Sequence, residues 1–250
     1  MKRILEICID SVESGIIAAN SGADRVELCD NLLEGGTTPS IATIKYARRR
    51  LGIEINVIIR PRGGDFLYSE LEFDIMKEDI RTCLGEGVNG IVTGVLQKDG
   101  SIDIERTSEL IELAKPLTVT FHRAFDMTSD LNSALESIIK CGATRILTSG
   151  GGNKAPGNVK TIIELLEIAG DRIIIMPGSG INENNIAGLV ANTRAKEFHL
   201  TGRKTINSSM DFRNNDISMG GSEDVHEYER KVTDSNRIRK VREILDSFEW

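Results

Sequence analysis

Leu117-Thr118-Val119-Thr120-Phe121-His122-Arg123-Ala124-Phe125-Asp126 is the stretch whose reading decides the fold. It opens as a strand of apolar and β-branched residues, and Pro116 closes the element before it. It ends in three groups able to carry charge, His122, Arg123 and Asp126. A buried strand that delivers polar groups at its C-terminal end is how parallel α/β proteins build their sites.

Working outward in both directions, the same unit recurs. Strand patterns fall at residues 4–9, 25–29, 54–60, 90–96, 117–122, 145–149, 172–178 and 197–201. Helical patterns follow each of them, at 11–20, 41–51, 74–84, 104–114, 131–140, 159–169, 183–192 and 235–248. In the sixth, Val159, Ile162, Ile163, Leu165, Leu166 and Ala169 form the stripe of a core-facing helix. Gly22, Gly52, Gly87, Gly142 and Gly170 sit just past helix ends, where a left-handed residue is wanted. Eight βα units in 250 residues predict a single α/β domain over 1–250, a (β/α)8 TIM barrel. An open doubly wound sheet would need a switch point and usually has fewer units. Two segments depart from the repeat. Residues 62–68 prolong the third strand into a glycine-rich loop. Residues 207–234 form a long polar loop after the eighth strand, expected to be a lid or an interface. Arg213 is the residue there expected to reach an acidic partner.

Charged residues are 28% and hydrophobic ones 40% of the chain, an ordinary globular composition. The net charge of −7 argues against a nucleic-acid surface or an anionic membrane patch. No apolar run approaches the ~18 residues of a membrane span, and the N-terminal run is broken by Glu6 and Asp10. The four cysteines, Cys8, Cys29, Cys83 and Cys141, lack CxxC spacing and are read as reduced, which points to the cytoplasm.

Residues two apart on a strand share a face. If Leu5, Ile7, Val26 and Leu28 face the helices, then Glu6, Cys8, Glu27 and Cys29 face the barrel interior. The same parity turns Thr118, Thr120 and His122 inward on strand five, and Glu197, His199 and Thr201 on strand eight. Barrel interiors are normally apolar, so buried Glu6 and Glu27 need partners, and Arg60 on the third strand is the expected one. His199, Cys8 and Cys29 fall on three consecutive strands. That gathering suits a soft metal such as Cu(I) or zinc, while small buried hydrophobes are the plainer reading of the two cysteines. Glycine loops follow strands six, seven and eight. Gly150, Gly151, Gly178 and Gly180, with Arg123 and Arg203, are the candidates for an anion cradle.

Several stretches together resemble the CutC family of copper homeostasis proteins over essentially the whole chain. They include Leu5-Glu6-Ile7-Cys8-Ile9-Asp10-Ser11, Gly22-Ala23-Asp24-Arg25-Val26-Glu27-Leu28-Cys29 and Glu34-Gly35-Gly36-Thr37-Thr38-Pro39-Ser40. Ile59-Arg60-Pro61-Arg62-Gly63-Gly64-Asp65-Phe66, Thr120-Phe121-His122-Arg123-Ala124-Phe125-Asp126, Leu147-Thr148-Ser149-Gly150-Gly151, Met176-Pro177-Gly178, Glu197-Phe198-His199 and Phe212-Arg213-Asn214 continue the match. The resemblance implies a cytoplasmic TIM barrel that binds copper, with Cys8 and Cys29 as Cu(I) ligands. The same motifs support a second expectation, an enzyme on a small anionic, phosphorylated or other, substrate. Glu6, Glu27, Arg60 and His122 are then the catalytic candidates, and the arginines and glycine loops hold the anion. No lysine falls on an inward strand position, which argues against Schiff-base chemistry. The expected partner is thus a metal ion or a small-molecule anion, and the long loop leaves room for a homo-oligomer.

Overall fold

A computed structural model describes residues 2–217, 219 and 226–248. Eight parallel strands follow one another around a barrel: β1 (Ile4–Ile9), β2 (Arg25–Leu28), β3 (Glu54–Ile58), β4 (Gly90–Thr93), β5 (Thr118–Phe121), β6 (Arg145–Thr148), β7 (Ile174–Pro177) and β8 (Glu197–Leu200). Hydrogen bonds link them in the order β7-β6-β5-β4-β3-β2-β1-β8. β7 and β8 lie side by side, so the barrel is nearly closed. The helices between and after them are α1 (Val12–Asn20), α2 (Ile41–Arg50), α3 (Glu70–Glu86), α4 (Ile104–Ala114), α5 (Leu131–Cys141), α6 (Val159–Ala169), α7 (Ile186–Thr193) and α8 (Ser235–Ser247). This is the TIM barrel the repeat predicts.

Local chemistry explains most element ends. Ser11, Ser40, Ser69, Asp103, Asp130 and Asp234 each accept a first-turn N–H, opening α1, α2, α3, α4, α5 and α8. α3 starts at Glu70, four residues before the expected 74, because Ser69 and Glu72 form a reciprocal capping box. Gly22, Gly87, Gly142 and Gly170 have positive φ. Gly52 does not, because α2 already ends on Leu51 in an extended conformation.

Strands β2 to β8 stop one to three residues short of the expected ends. The residues just beyond carry the chain to the barrel mouth, yet stay anchored by a further backbone bond. Cys29 N–H donates to Ile9 O at 2.9 Å, Ile59 N–H to Val92 O at 2.7 Å, and His122 N–H to Thr93 O at 2.9 Å. Site residues at these positions therefore sit on rigid backbone.

Parity holds on every strand that carries the site. Leu5, Ile7, Val26, Leu28, Val57, Ile91, Val119, Phe121, Ile146, Ile175 and Phe198 face the helices in one continuous apolar core. The barrel interior is mostly polar, with a small separate apolar group of Cys8, Cys29, Ile58 and Val92 near its top. Thr201 departs from expectation: it is exposed at the mouth, one residue past β8.

The segment after β8 is not a plain loop. Its ends pair as an antiparallel ribbon of β9 (Arg203–Asn207) and β10 (Glu229–Thr233). The ribbon leads into α8, whose Ile238, Val241 and Leu245 are buried. Among the described residues Arg213 meets no carboxylate; it donates to Ser208 O at 3.2 Å and lies over the Tyr228 ring.

Candidate functional site

The deepest interior layer is an ion network. Arg25 sits in register with Glu6 and bonds both Glu6 and Glu197. Arg145 Nε lies 3.1 Å from Glu197 Oε2, and its NH1 donates to Thr120 Oγ1 at 3.2 Å. Asn56 Nδ2 donates to Glu6 Oε2 at 3.2 Å. Two arginines thus balance two carboxylates, as buried charge requires. Burial alone would raise the Glu6 pKa, but the Arg25 charge, then His199 and Arg145, holds it below the usual carboxylate range. The expected partner, Arg60, plays no part here. Barrel shear offsets β2 against β1, so Glu6 faces Arg25 and Cys8 faces Glu27.

One layer higher, Cys8 Sγ lies 3.7 Å from Cys29 Sγ, both thiols buried. His199 Nδ1 lies 2.8 Å from Glu6 Oε1, and its Nε2 lies 3.7 Å from Glu27 Oε2. The Cys8 pKa falls to about 5 because Cys29 donates to it, and His199 adds to this against the opposing cost of burial. Burial and the Cys8 charge push Cys29 up, so Cys8 carries the thiolate and Cys29 the proton. Burial also raises Glu27, with the Cys8 charge adding to it. Burial would strip the His199 proton, but the bonds to Cys8 and Glu6 keep it on. The acidic neighbours therefore do not suppress the Cys8 thiolate: Glu6 is neutralised by its cations, and Glu27 hydrogen-bonds to the sulfur.

The donor atoms of Cys8, Glu27 and Cys29 all lie within 4.8 Å of one another. Two sulfurs 3.7 Å apart can both contact one ion at about 2.3 Å, with an angle of roughly 107° at the ion. The residues therefore fit a soft metal held by two sulfurs and a further donor. His199 stands beside this group, bonded to Cys8 and Glu6.

Above the thiols opens a cavity of about 660 Å³. Cys8, Glu27, Arg60, His122, Arg123, Lys154, Gly180, His199, Arg203 and Arg237 help to line it; Glu6, Cys29, Gly150, Gly151 and Gly178 do not. Arg60 donates to the carbonyls of Glu34, Gly36 and Gly64 at 2.7–2.8 Å and lies over the Phe66 ring. His122 packs against Phe66, and burial, with the nearby Arg60 charge, lowers its pKa to about 3.

The glycine loop after β6 is already filled by the chain itself. The Asp126 carboxylate accepts from Ser149 N–H, Gly151 N–H, Ser149 Oγ and Thr148 Oγ1. Arg123 binds the same carboxylate at 2.8 Å. Gly178 N–H is bonded to Thr148 O. Gly180 has φ +73 and lies under the Lys154 side chain, where a Cβ would come within 2.8 Å of Lys154 Cβ. Arg203 reaches Asp10 at 3.2 Å. Sequence reasoning missed Arg25, Arg145 and Lys154 as site-building residues. For Arg25 the signal was present: it lies two residues before Glu27 and so shares its face.

The model of the CutC family matches residues 3–204. The chain belongs to the CutC family. A family protein CutC of Chromobacterium violaceum is 48% identical over 98% of this chain and 99% of its own length. The human copper homeostasis protein cutC homolog is 45% identical over 96% of this chain and 88% of its own. The crystal structure of CutC from Streptococcus agalactiae superposes with a TM-score of 0.76 at 37% identity, covering 80% of this chain and 98% of that one. Phosphoribosyl anthranilate isomerase from Thermotoga maritima, at 14% identity and a TM-score of 0.58, shares the barrel fold. The CutC match ends at the start of β9, so most of the ribbon and all of α8 lie beyond it.

Proposed function

We propose that this member of the CutC family binds Cu(I) as its cargo in the cytoplasm, through Cys8 and Cys29 with Glu27 or His199 as a further donor. One observation carries the reading: two buried sulfurs 3.7 Å apart, one of them stabilised as a thiolate. Soft thiolates select Cu(I), and a site that is half deprotonated loses less on metal binding than two ordinary thiols would. The names of the relatives, copper homeostasis proteins, support the same role. Among the described residues no helix is long and apolar enough to cross a membrane. The reducing cytoplasm would keep these thiols free.

The test is an anaerobic Cu(I) titration against a competing chelator. Cys8→Ser and Cys29→Ser should each lower the affinity by about a hundredfold or more, since each removes a soft ligand. Cys83→Ser and Cys141→Ser, on helices and outside the cavity lining, should change nothing. Equal affinity in wild type and the Cys8→Ser/Cys29→Ser double variant would remove the site.

A second reading, an enzyme on a small anionic substrate, is favoured by the cavity itself, which lies at the C-terminal ends of the strands, where TIM barrels place their chemistry. Among the catalytic candidates of that reading, Glu27, Arg60 and His122 reach the cavity, whereas Glu6 is committed to the network below.

A further inference from the structure

Across the cavity from Cys8, the ends of β3 and β5 present two buried groups whose bonding is incomplete. Arg60 is 4% exposed and His122 5%. The Arg60 guanidinium has three carbonyl acceptors but no carboxylate within 4.0 Å among the described residues, and its Nε has no partner. A buried guanidinium ordinarily has an anion beside it. His122 Nδ1 accepts the Ala124 N–H at 3.2 Å, which puts the proton of the neutral ring on Nε2. That Nε2 has no acceptor among the described residues. Buried donors are almost always satisfied, so an orphan on a residue that lines a cavity points to a ligand.

The other charges around the cavity are accounted for. Arg123 pairs with Asp126, Arg203 with Asp10 and Arg237 with Glu183. Glu27 is hydrogen-bonded with Cys8, and Glu34 is exposed, leaning against Gly63. Lys154 is an exposed cation at the rim with no ion pair among the described residues. Among the described residues, the cavity therefore holds a buried cation without a carboxylate beside it, a buried N–H without an acceptor, and an unpaired cation at its entrance. Phe66, Met127, Leu147 and Ile181 supply apolar wall between them.

We propose that this end of the cavity binds a small organic anion, whose carboxylate or phosphate group accepts the His122 Nε2–H and faces the Arg60 charge, with its apolar body against Phe66 and Leu147. The volume, about 660 Å³, is in the range of metabolite-sized sites. The site deepens the enzyme reading but does not rest on the copper reading, which survives if the anion fails to bind.

The test uses copper-free protein titrated with inorganic phosphate and, separately, with benzoate, each against matched sodium chloride. The His122 ring N–H is followed by NMR and assigned by its disappearance in His122→Phe; the chain has only three histidines. A saturable shift with phosphate alone identifies a phosphate-bearing ligand, and one with benzoate alone a carboxylate; either supports the site. Arg60→Gln should weaken the binding about tenfold or more, the worth of one charge-assisted interaction. Should Arg60→Gln fail to fold, His122→Phe, which keeps the packing on Phe66, should show the same loss by calorimetry. The proposal is overturned if neither anion shifts His122 beyond the chloride control. It is equally overturned if the folded variants bind as well as the wild type.

Discussion

Arg25→Met isolates the ion network beneath the site. Arg25 is 2% exposed and forms an ion pair with both Glu6 and Glu197. Removing one partner of a buried pair costs about 3–5 kcal/mol. Each carboxylate here keeps a second cation, His199 for Glu6 and Arg145 for Glu197, so the expected loss is at the lower end, about 3 kcal/mol. For a chain of this size that is a fall in Tm of roughly 6–12 °C. The assay is urea and thermal unfolding followed by circular dichroism. Arg81→Met serves as control, because the Arg81–Glu78 pair is 51% and 72% exposed. It should cost about 0–1 kcal/mol. Adding Glu197→Gln to Arg25→Met should restore part of the loss by removing one of the stranded charges. If Arg25→Met costs no more than Arg81→Met, the network is not what neutralises the interior, and the account of Glu6 fails with it.

His122 sets a pH dependence with a definite sign. Its pKa in the folded chain is about 3 against an ordinary value near 6.5, so below pH 6.5 the unfolded chain binds a proton that the folded one refuses. Stability is full above that value and falls with pH down to about 3; the loss at pH 5 is about 2 kcal/mol. Unfolding titrations at pH 7 and 5 should show that much less acid loss in His122→Phe, and equal losses would refute the assignment. For the arm between β9 and β10, we propose contact with the barrel mouth or with another subunit, because Met210, Phe212, Ile217 and Met219 are all more than half exposed. Joining Asn207 to Glu229 through a two-residue turn should change the mass by light scattering or the Cu(I) affinity, and an unchanged mass and affinity would show the arm to be dispensable.

Most of the fold was legible because the barrel writes its period into the chain. Leu5, Ile7, Val26 and Leu28 alternate with Glu6, Cys8, Glu27 and Cys29, and that alternation fixes which face each residue takes. Parity on one strand says nothing about its offset from the next. Two Glu-x-Cys strands carry the same pattern whatever their offset, and shear sets Glu6 against Arg25 and Cys8 against Glu27. That offset brings Arg25 onto Glu6 and so balances the lower layer, and it comes from barrel closure rather than from local pattern. The glycine loop after β6 is closed by the chain itself for a related reason. Glycines after β6 announce a loop of free N–H groups, but Asp126, more than twenty residues upstream, takes them. Composition showed a carboxylate nearby; only the folded path showed where it went.

The two layers of the interior are not independent, and His199 is the reason. Its Nδ1 rests on Glu6 in the closed network below, while its Nε2 side meets Cys8 and Glu27 in the layer open to the cavity. Glu6 is held ionised by Arg25, so it can keep the imidazole protonated and fix its orientation. The protonated imidazole in turn favours the Cys8 thiolate, in the way a carboxylate–histidine pair orients a nucleophile or a metal ligand. A thiol surrounded by unpaired carboxylates would stay protonated and bind a soft metal poorly. The arginines of the lower layer, which touch neither thiol and do not line the cavity, are therefore part of what favours the Cys8 thiolate: they neutralise Glu6 so that its effect reaches the sulfur through a cation.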